Sequence, residues 1–128
     1  MIFKTIIFIS PRLKVNEQNI RKEYLTILGQ PYEIYNKNIS QNFDDCFTTK
    51  NNKIIVCCAN SVNTLYKKII EDNITEILVW FDEAHYAIEN WVNDLTNESK
   101  NFWLTNTSNI EYRIFTSASP NEEKVKKN

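Results

Sequence analysis

Glycine is almost absent from this sequence: Gly29 is the only one in 128 residues. A phosphate-binding loop of the form G-x-x-x-x-G-K-[ST] needs glycines, because residues without a Cβ let successive backbone N–H groups close around a phosphate. These residues therefore contain no such loop. Apolar runs are short: Ile6 to Ile9 and Ile77 to Phe81 fall far below the roughly 20 residues of a membrane-spanning helix. No signal peptide is legible, since Lys4 interrupts an apolar stretch that runs straight into Ser10-Pro11-Arg12. Cysteine is scarce and unframed, with Cys57 and Cys58 adjacent in an apolar run and Cys46 alone. An odd count without C-x-x-C spacing points to reduced, buried thiols. The expectation is a soluble intracellular protein with no membrane partner.

Charge of one sign is also lacking in bulk. The net charge is −1, which does not advertise nucleic-acid binding. The distribution is uneven, however. Lys4, Arg12, Lys14, Arg21 and Lys22 outnumber Glu17 and Glu23 near the start, whereas no Lys or Arg interrupts the acidic series from Glu71 to Glu98. Two working faces or merely solvated surfaces fit that pattern. Hydrophobic residues make up 42% and charged residues 24%, which is ordinary for a folded domain and sufficient for a single core.

Four apolar runs suit strands: Thr5 to Ile9, Ile54 to Cys58, Ile77 to Phe81 and Tyr112 to Thr116. They are continuous rather than alternating, as expected of parallel strands covered on both faces. Tyr32 to Tyr35 adds a candidate short fifth strand. Helical stripes lie between them. Ile20, Tyr24, Ile27 and Leu28 form one, with Gly29 as its stop. Val62, Leu65, Tyr66, Ile69 and Ile70 form a second, with Asn60 or Ser61 as N-cap. Ala84, Ala87, Ile88, Trp91, Val92 and Leu95 form a third, and Trp103 and Leu104 belong to a short fourth that begins near Ser99. Alternating strands and helices predict an α/β domain with a mainly parallel sheet over 1–120 and a polar tail over 121–128. Functional residues then belong at the carboxyl ends of the strands.

The strongest chemical signal follows the run Ile77-Leu78-Val79-Trp80-Phe81: it is Asp82-Glu83-Ala84-His85. Two carboxylates at the mouth of a buried strand suit Mg²⁺-assisted phosphoryl transfer. Asp82 can hold Mg²⁺ through its water shell, since this ion keeps several waters and takes few protein oxygens. Glu83 can orient and deprotonate an attacking water. The same two acids would also suit the start of a helix, where carboxylates favour the positive end of the dipole. A metal site built from His85 and Glu89, four residues apart on one helix face, is a further alternative that would make the chain a metal-dependent hydrolase.

Asp82-Glu83-Ala84-His85 in this place resembles motif II of superfamily 2 DEAD/DEAH-box helicases and of type III restriction enzyme motor subunits. Other segments resemble that family's motifs in its order. Ile6 to Arg12, followed by Asn16-Glu17-Gln18, is similar to motif Ia; Ile54 to Ser61 is similar to the Ib region; Arg113 to Pro120, with Ser117-Ala118-Ser119, is similar to motif III. The richness in Asn, Ile and Lys also resembles helicases of large DNA viruses. The resemblance implies a partial RecA-like three-layer domain, the first motor domain of an ATP-dependent helicase acting on DNA or RNA. It implies that Asp82 holds the Mg²⁺ of bound ATP, Glu83 activates water, and His85, Ser117 and Ser119 couple nucleotide state to the nucleic acid. Pro11, Arg12 and Ser61 would touch the phosphate backbone of a strand. Ser61 as a plain N-cap, Arg12 as a solvated charge, and Ser117 and Ser119 as a strand end remain the alternatives.

The resemblance also sets out what is missing. The phosphate loop and its strand precede motif Ia in the family, and the second motor domain with its arginine finger follows motif III. The chain is therefore expected to be inactive alone and to bind no cofactor tightly, or to serve as a non-catalytic nucleic-acid- or protein-binding remnant. As a split product it would need an upstream phosphate-loop segment and a second motor domain as partners. The family places the phosphate-loop strand beside the motif III strand, so Tyr112 to Thr116 is expected to form an unpaired apolar edge prone to association.

Overall fold

The computed structural model describes residues 3–10, 32–37, 42–58, 61–82 and 97–116. Strands β1 (Thr5–Ser10), β2 (Glu33–Asn36), β3 (Lys53–Cys58), β4 (Ile77–Asp82) and β5 (Ile110–Thr116) form one sheet in the order β2-β3-β1-β4-β5. Every pairing in it is parallel. Helices α1 (Val62–Asp72) and α2 (Asn97–Thr105) and a 3-10 turn, Asp44–Phe47, accompany the strands. This is the α/β architecture expected of a partial RecA-like domain.

Parallel strands need crossovers that cover the sheet, and the core lies where they do so. Ile7, Ile9, Ile55, Cys57, Val79 and Phe81 point to one face and pack with Val62, Leu65 and Ile69 of α1 and with Phe102 and Trp103 of α2. Cys46 from the 3-10 turn, an element without a clear sequence signature, and Phe43 just before it complete this cluster. The opposite face carries Ile6, Phe8, Ile54 and Val56 with Phe3 and Tyr32, flanked by Leu78 and Trp80. Tyr32 adds a 2.7 Å hydrogen bond from its hydroxyl to the Phe3 carbonyl.

Both-face burial holds for β3, all six residues of which are buried, and for Thr5 to Ile9 of β1, but not for β4 and β5. In β4 buried and half-buried residues alternate, and β5 is exposed or half-buried over most of its length. The cause is position: β5 has a described neighbour on one side only. The α1 stripe is also narrower than its sequence implies. Val62, Leu65 and Ile69 are buried, whereas Ile70 is 48% exposed, because it falls at the rim of the apolar arc. Asn73 ends α1 in the left-handed region at φ 53° and ψ 51°. Its N–H bonds to the Ile70 carbonyl and that of Ile74 to the Ile69 carbonyl, the two-bond closure typical of a left-handed cap.

The expected helices at Ile20–Leu28 and Ala84–Leu95 and the tail 121–128 lie outside the described residues. No helix among the described residues is long and apolar enough to cross a membrane.

Candidate functional site

An all-parallel sheet gathers the carboxyl ends of its strands along one rim. The register makes that rim explicit: Ser10 of β1 pairs with Cys58 of β3, Ile9 pairs with Phe81 of β4, and Asp82 pairs with Thr116 of β5. Cys58, Ser10, Asp82 and Thr116 thus lie in one row across β3, β1, β4 and β5. Asp82, half-buried at the end of its strand, sits near the middle of this row rather than at a sheet edge.

The end of β4 is held from both faces. On the helix-covered face Phe81 is fully buried and stacks on Phe115 with ring centroids 4.8 Å apart and planes 5° from parallel. On the other face Trp80 stacks on Phe8 at 6.0 Å and donates its Nε1–H to Thr116 Oγ1 at 2.8 Å. Offset ring pairs of this kind contribute about 0.5–1.5 kcal/mol beyond their buried area. A carboxylate on a backbone fixed this way needs little reorganisation to meet a hydrated cation. Trp80 and Thr116 were not singled out by sequence; the only hint was an indole in an otherwise aliphatic and phenyl run.

Ser61 starts α1 three residues beyond the end of β3, so it belongs to the same rim. It occupies the N-cap position but makes no side-chain cap bond, and at φ −101° and ψ −8° its backbone is already helical. A serine side chain caps best from extended backbone, which explains the missing bond. Ser61 is also 1% exposed, so a phosphate would reach it only after a local displacement. Glu83, His85, Pro11, Arg12, Ser117 and Ser119 lie outside the described residues. By chain continuity Glu83 follows Asp82, Pro11 follows Ser10 and Ser117 follows Thr116, three strand ends on one rim.

Other chemistry is sparse. Among the described residues no group of three or more His, Cys, Asp or Glu side chains could hold a metal. No disulfide joins the three buried thiols, and burial pushes Cys46 up to about 12 and raises Cys57 as well, which makes those two poor nucleophiles. A cleft of about 540 Å³, lined by Tyr32, Glu33, Lys50, Asn51 and Asn52, lies at the amino ends of β2 and β3, at the opposite end of the strands from Asp82. Glu33 there is held below the usual carboxylate range by hydrogen bonds, chiefly from Asn51 and then from Tyr35.

Arg113 has a role that the sequence did not disclose. Its Nε donates to the Trp103 carbonyl at 2.7 Å, and its Nη2 donates to the carbonyls of Phe102 at 3.1 Å and Asn106 at 2.7 Å. The guanidinium closes the C-terminal end of α2, where the last carbonyls run short of helical donors and positive charge is favoured; the Phe102 carbonyl accepts the Asn106 N–H as well.

A family model described as "Type III restriction enzyme, res subunit" matches residues 2–111. No curated protein and no solved structure matches the chain.

Proposed function

Because the chain belongs to the type III restriction enzyme res-subunit family, we propose that it is part of the first motor domain of a DEAH-type superfamily 2 helicase. That family implies ATP-dependent motor activity on nucleic acid. The observation that carries the proposal is the location of Asp82: a half-buried carboxylate ending a parallel strand paired on both sides, with Glu83-Ala84-His85 directly after it.

The side chains present fit one half of the cofactor's demands. Asp82 suits Mg²⁺ held through water, because a single fixed carboxylate matches an ion that prefers its own hydration shell. The nucleotide's Mg²⁺ would supply charge neutralisation on the phosphates. Glu83 would orient and deprotonate the attacking water. His85, Ser117 and Ser119 would link the Asp82 row to the nucleic-acid side, and Trp80 with Thr116 supports this by tying β4 to β5 one residue before Ser117. Pro11 and Arg12 would meet a DNA or RNA phosphate backbone beyond the end of β1, with Ser61 nearby.

The other half is not met. With Gly29 as its only glycine, this chain offers no cradle for a triphosphate. Phosphoryl transfer is mostly positioning and charge stabilisation, and an arginine finger alone contributes about 10³–10⁵ in rate. The chain alone is therefore inactive, and it works, if at all, beside a phosphate-loop segment and a second motor domain. A non-catalytic nucleic-acid- or protein-binding role is the second reading, favoured by the same glycine count. Sequencing the coding region upstream of Met1 separates the two. A strand followed by G-x-x-x-x-G-K-[ST] supports a split motor, and its absence there and in neighbouring reading frames favours the binding role. Single-strand binding that weakens with salt and ignores nucleotide would also favour the binding role.

A further inference from the structure

The cleft at the amino ends of β2 and β3 holds polar groups that the Asp82 rim does not use. Tyr32, Glu33, Lys50, Asn51 and Asn52 line about 540 Å³, within the roughly 300–1,000 Å³ of small-molecule sites. All of them lie inside the chain, on the two segments that lead into β2 and β3. One carboxylate is fixed there. Glu33 Oε1 accepts the Tyr35 hydroxyl at 2.9 Å, and its Oε2 accepts from Asn51 Nδ2 at 2.8 Å. With Thr49 as a lesser partner, these bonds hold Glu33 below the usual carboxylate range. A carboxylate has about four acceptor positions, so Glu33 keeps room for an incoming donor.

The groups around that carboxylate are uncommitted. Among the described residues the Lys50 ammonium and the Asn52 amide have no hydrogen-bond or ion-pair partner. Tyr32 supplies an apolar wall, its ring buried and its hydroxyl tied to the Phe3 carbonyl at 2.7 Å. Charge at this corner is mainly positive: Lys4, Lys50 and Lys53 stand at the amino ends of β1 and β3 against the single carboxylate Glu33. A simple cation would meet the lysines, and a simple anion would meet Glu33. A ligand with hydrogen-bond donors on an aromatic body and an anionic tail satisfies both.

We propose that this cleft binds a nucleotide whose base carries an exocyclic amino group. The base packs against Tyr32, its amino group donates to Glu33, and its phosphate lies toward Lys50. Aromatic side chains and amides recognise unpaired bases in this way, the ring by contact and the amide by the base edge. An acceptor-only carboxylate selects for the amino group, because it has no hydrogen to offer a base that lacks one. A free mononucleotide and a nucleotide within a single strand share this chemistry. The cleft lies at the opposite end of the strands from Asp82, so the assignment does not rest on the role given to Asp82 and fails or stands without it.

Amide chemical shifts of the full chain, followed by NMR without Mg²⁺, test the proposal. The probes are AMP, the purine riboside monophosphate that lacks only its amino group, inorganic phosphate and a short oligoadenylate. AMP should move the amides of 33 and 50–52 and bind about fivefold or more tighter than the analogue without the amino group. Lys50→Ala, at an exposed side chain, should weaken both nucleotides alike. Glu33→Gln should weaken AMP more than the analogue, because the bond to a charged acceptor is the stronger one. Oligoadenylate binding more tightly than AMP assigns the nucleotide to a single strand, and binding no more tightly assigns it to the free pool; either supports the site. No shift at 33 and 50–52, equal binding of AMP and its analogue, a response to inorganic phosphate as large as that to AMP, or AMP shifts confined to 80–82 and 116 would each overturn it.

Discussion

Replacing Arg113 by methionine keeps the side-chain stem but removes the cation that closes α2. Three hydrogen bonds disappear, at 2.7, 3.1 and 2.7 Å. Bonds to a charged group contribute about 1.5–3 kcal/mol each, but three that share one cation do not add. Phe102 and Trp103 are buried and Asn106 is half-buried; water replaces the lost donor at Asn106 and the Phe102 carbonyl keeps the Asn106 N–H at 3.1 Å, so the loss falls chiefly on the Trp103 carbonyl. The expected loss is about 2–4 kcal/mol, a large fraction of the about 5–15 kcal/mol that holds a domain together. In melting temperature this corresponds to a drop of about 10 °C for a chain of this size. Burial draws the Arg113 pKa down, yet a guanidinium stays protonated across the accessible pH range, so the deficit should be independent of pH near neutrality. Urea unfolding followed by far-UV circular dichroism reads it as a shifted midpoint with unchanged slope. Arg113→Lys should recover only part of the loss, because an ammonium cannot reproduce the planar fork. A deficit below about 0.5 kcal/mol, the size of an ordinary surface change, would refute the clamp.

Three further outcomes follow from the packing. Trp103 is fully buried, so Trp103→Ala should cost about 3–5 kcal/mol in the same urea assay; a loss under about 1 kcal/mol would mean that the α2 core is not packed as described. Lys53 is 5% exposed, and burial holds its pKa below the ordinary 10.5. Its charge therefore opposes folding at neutral pH, and that opposition is relieved as pH rises from the folded-state pKa toward 10.5. Lys53→Met should accordingly be more stable than the native chain at pH 7, with an advantage that shrinks toward alkaline pH; an advantage that grows would contradict the sign. Cys46, Cys57 and Cys58 should resist a thiol reagent until the chain unfolds, and stoichiometric labelling of any of them in the native state would contradict their burial.

Much of the fold was legible because parallel strands announce themselves as continuous Ile- and Val-rich runs. All five strand positions agree with the structure to within two residues, including the short one at Glu33–Asn36. Periodicity located α1, and the short helix expected to begin near Ser99 is α2, which begins at Asn97. Periodicity could not show how wide the buried arc of α1 is, which is why Ile70 was expected inside and is outside. The 3-10 turn at Asp44–Phe47 was invisible because a single turn has no period to detect, and only tertiary packing buries Cys46 and Phe43. Strand order was out of reach of the residues alone; among the described residues β5 lies at one end of the order β2-β3-β1-β4-β5. At the candidate site, the strand followed by Asp82 was readable because two carboxylates after five apolar residues are unusual. The support beneath it, Trp80 on Thr116 and Phe81 on Phe115, depends on a cross-strand register that no local pattern encodes. Arg113 was hidden for the same reason, since its partners are backbone carbonyls 7 to 11 residues away.

The central claim is that Asp82 and Glu83 are the hydrolytic pair of a motor that this chain alone cannot run. The most direct measurement is ATP turnover by the purified chain with Mg²⁺ and single-stranded nucleic acid, beside Glu83→Gln. The account predicts that both proteins stay at the uncatalysed background. Steady turnover by the native chain, abolished in Glu83→Gln, would contradict it.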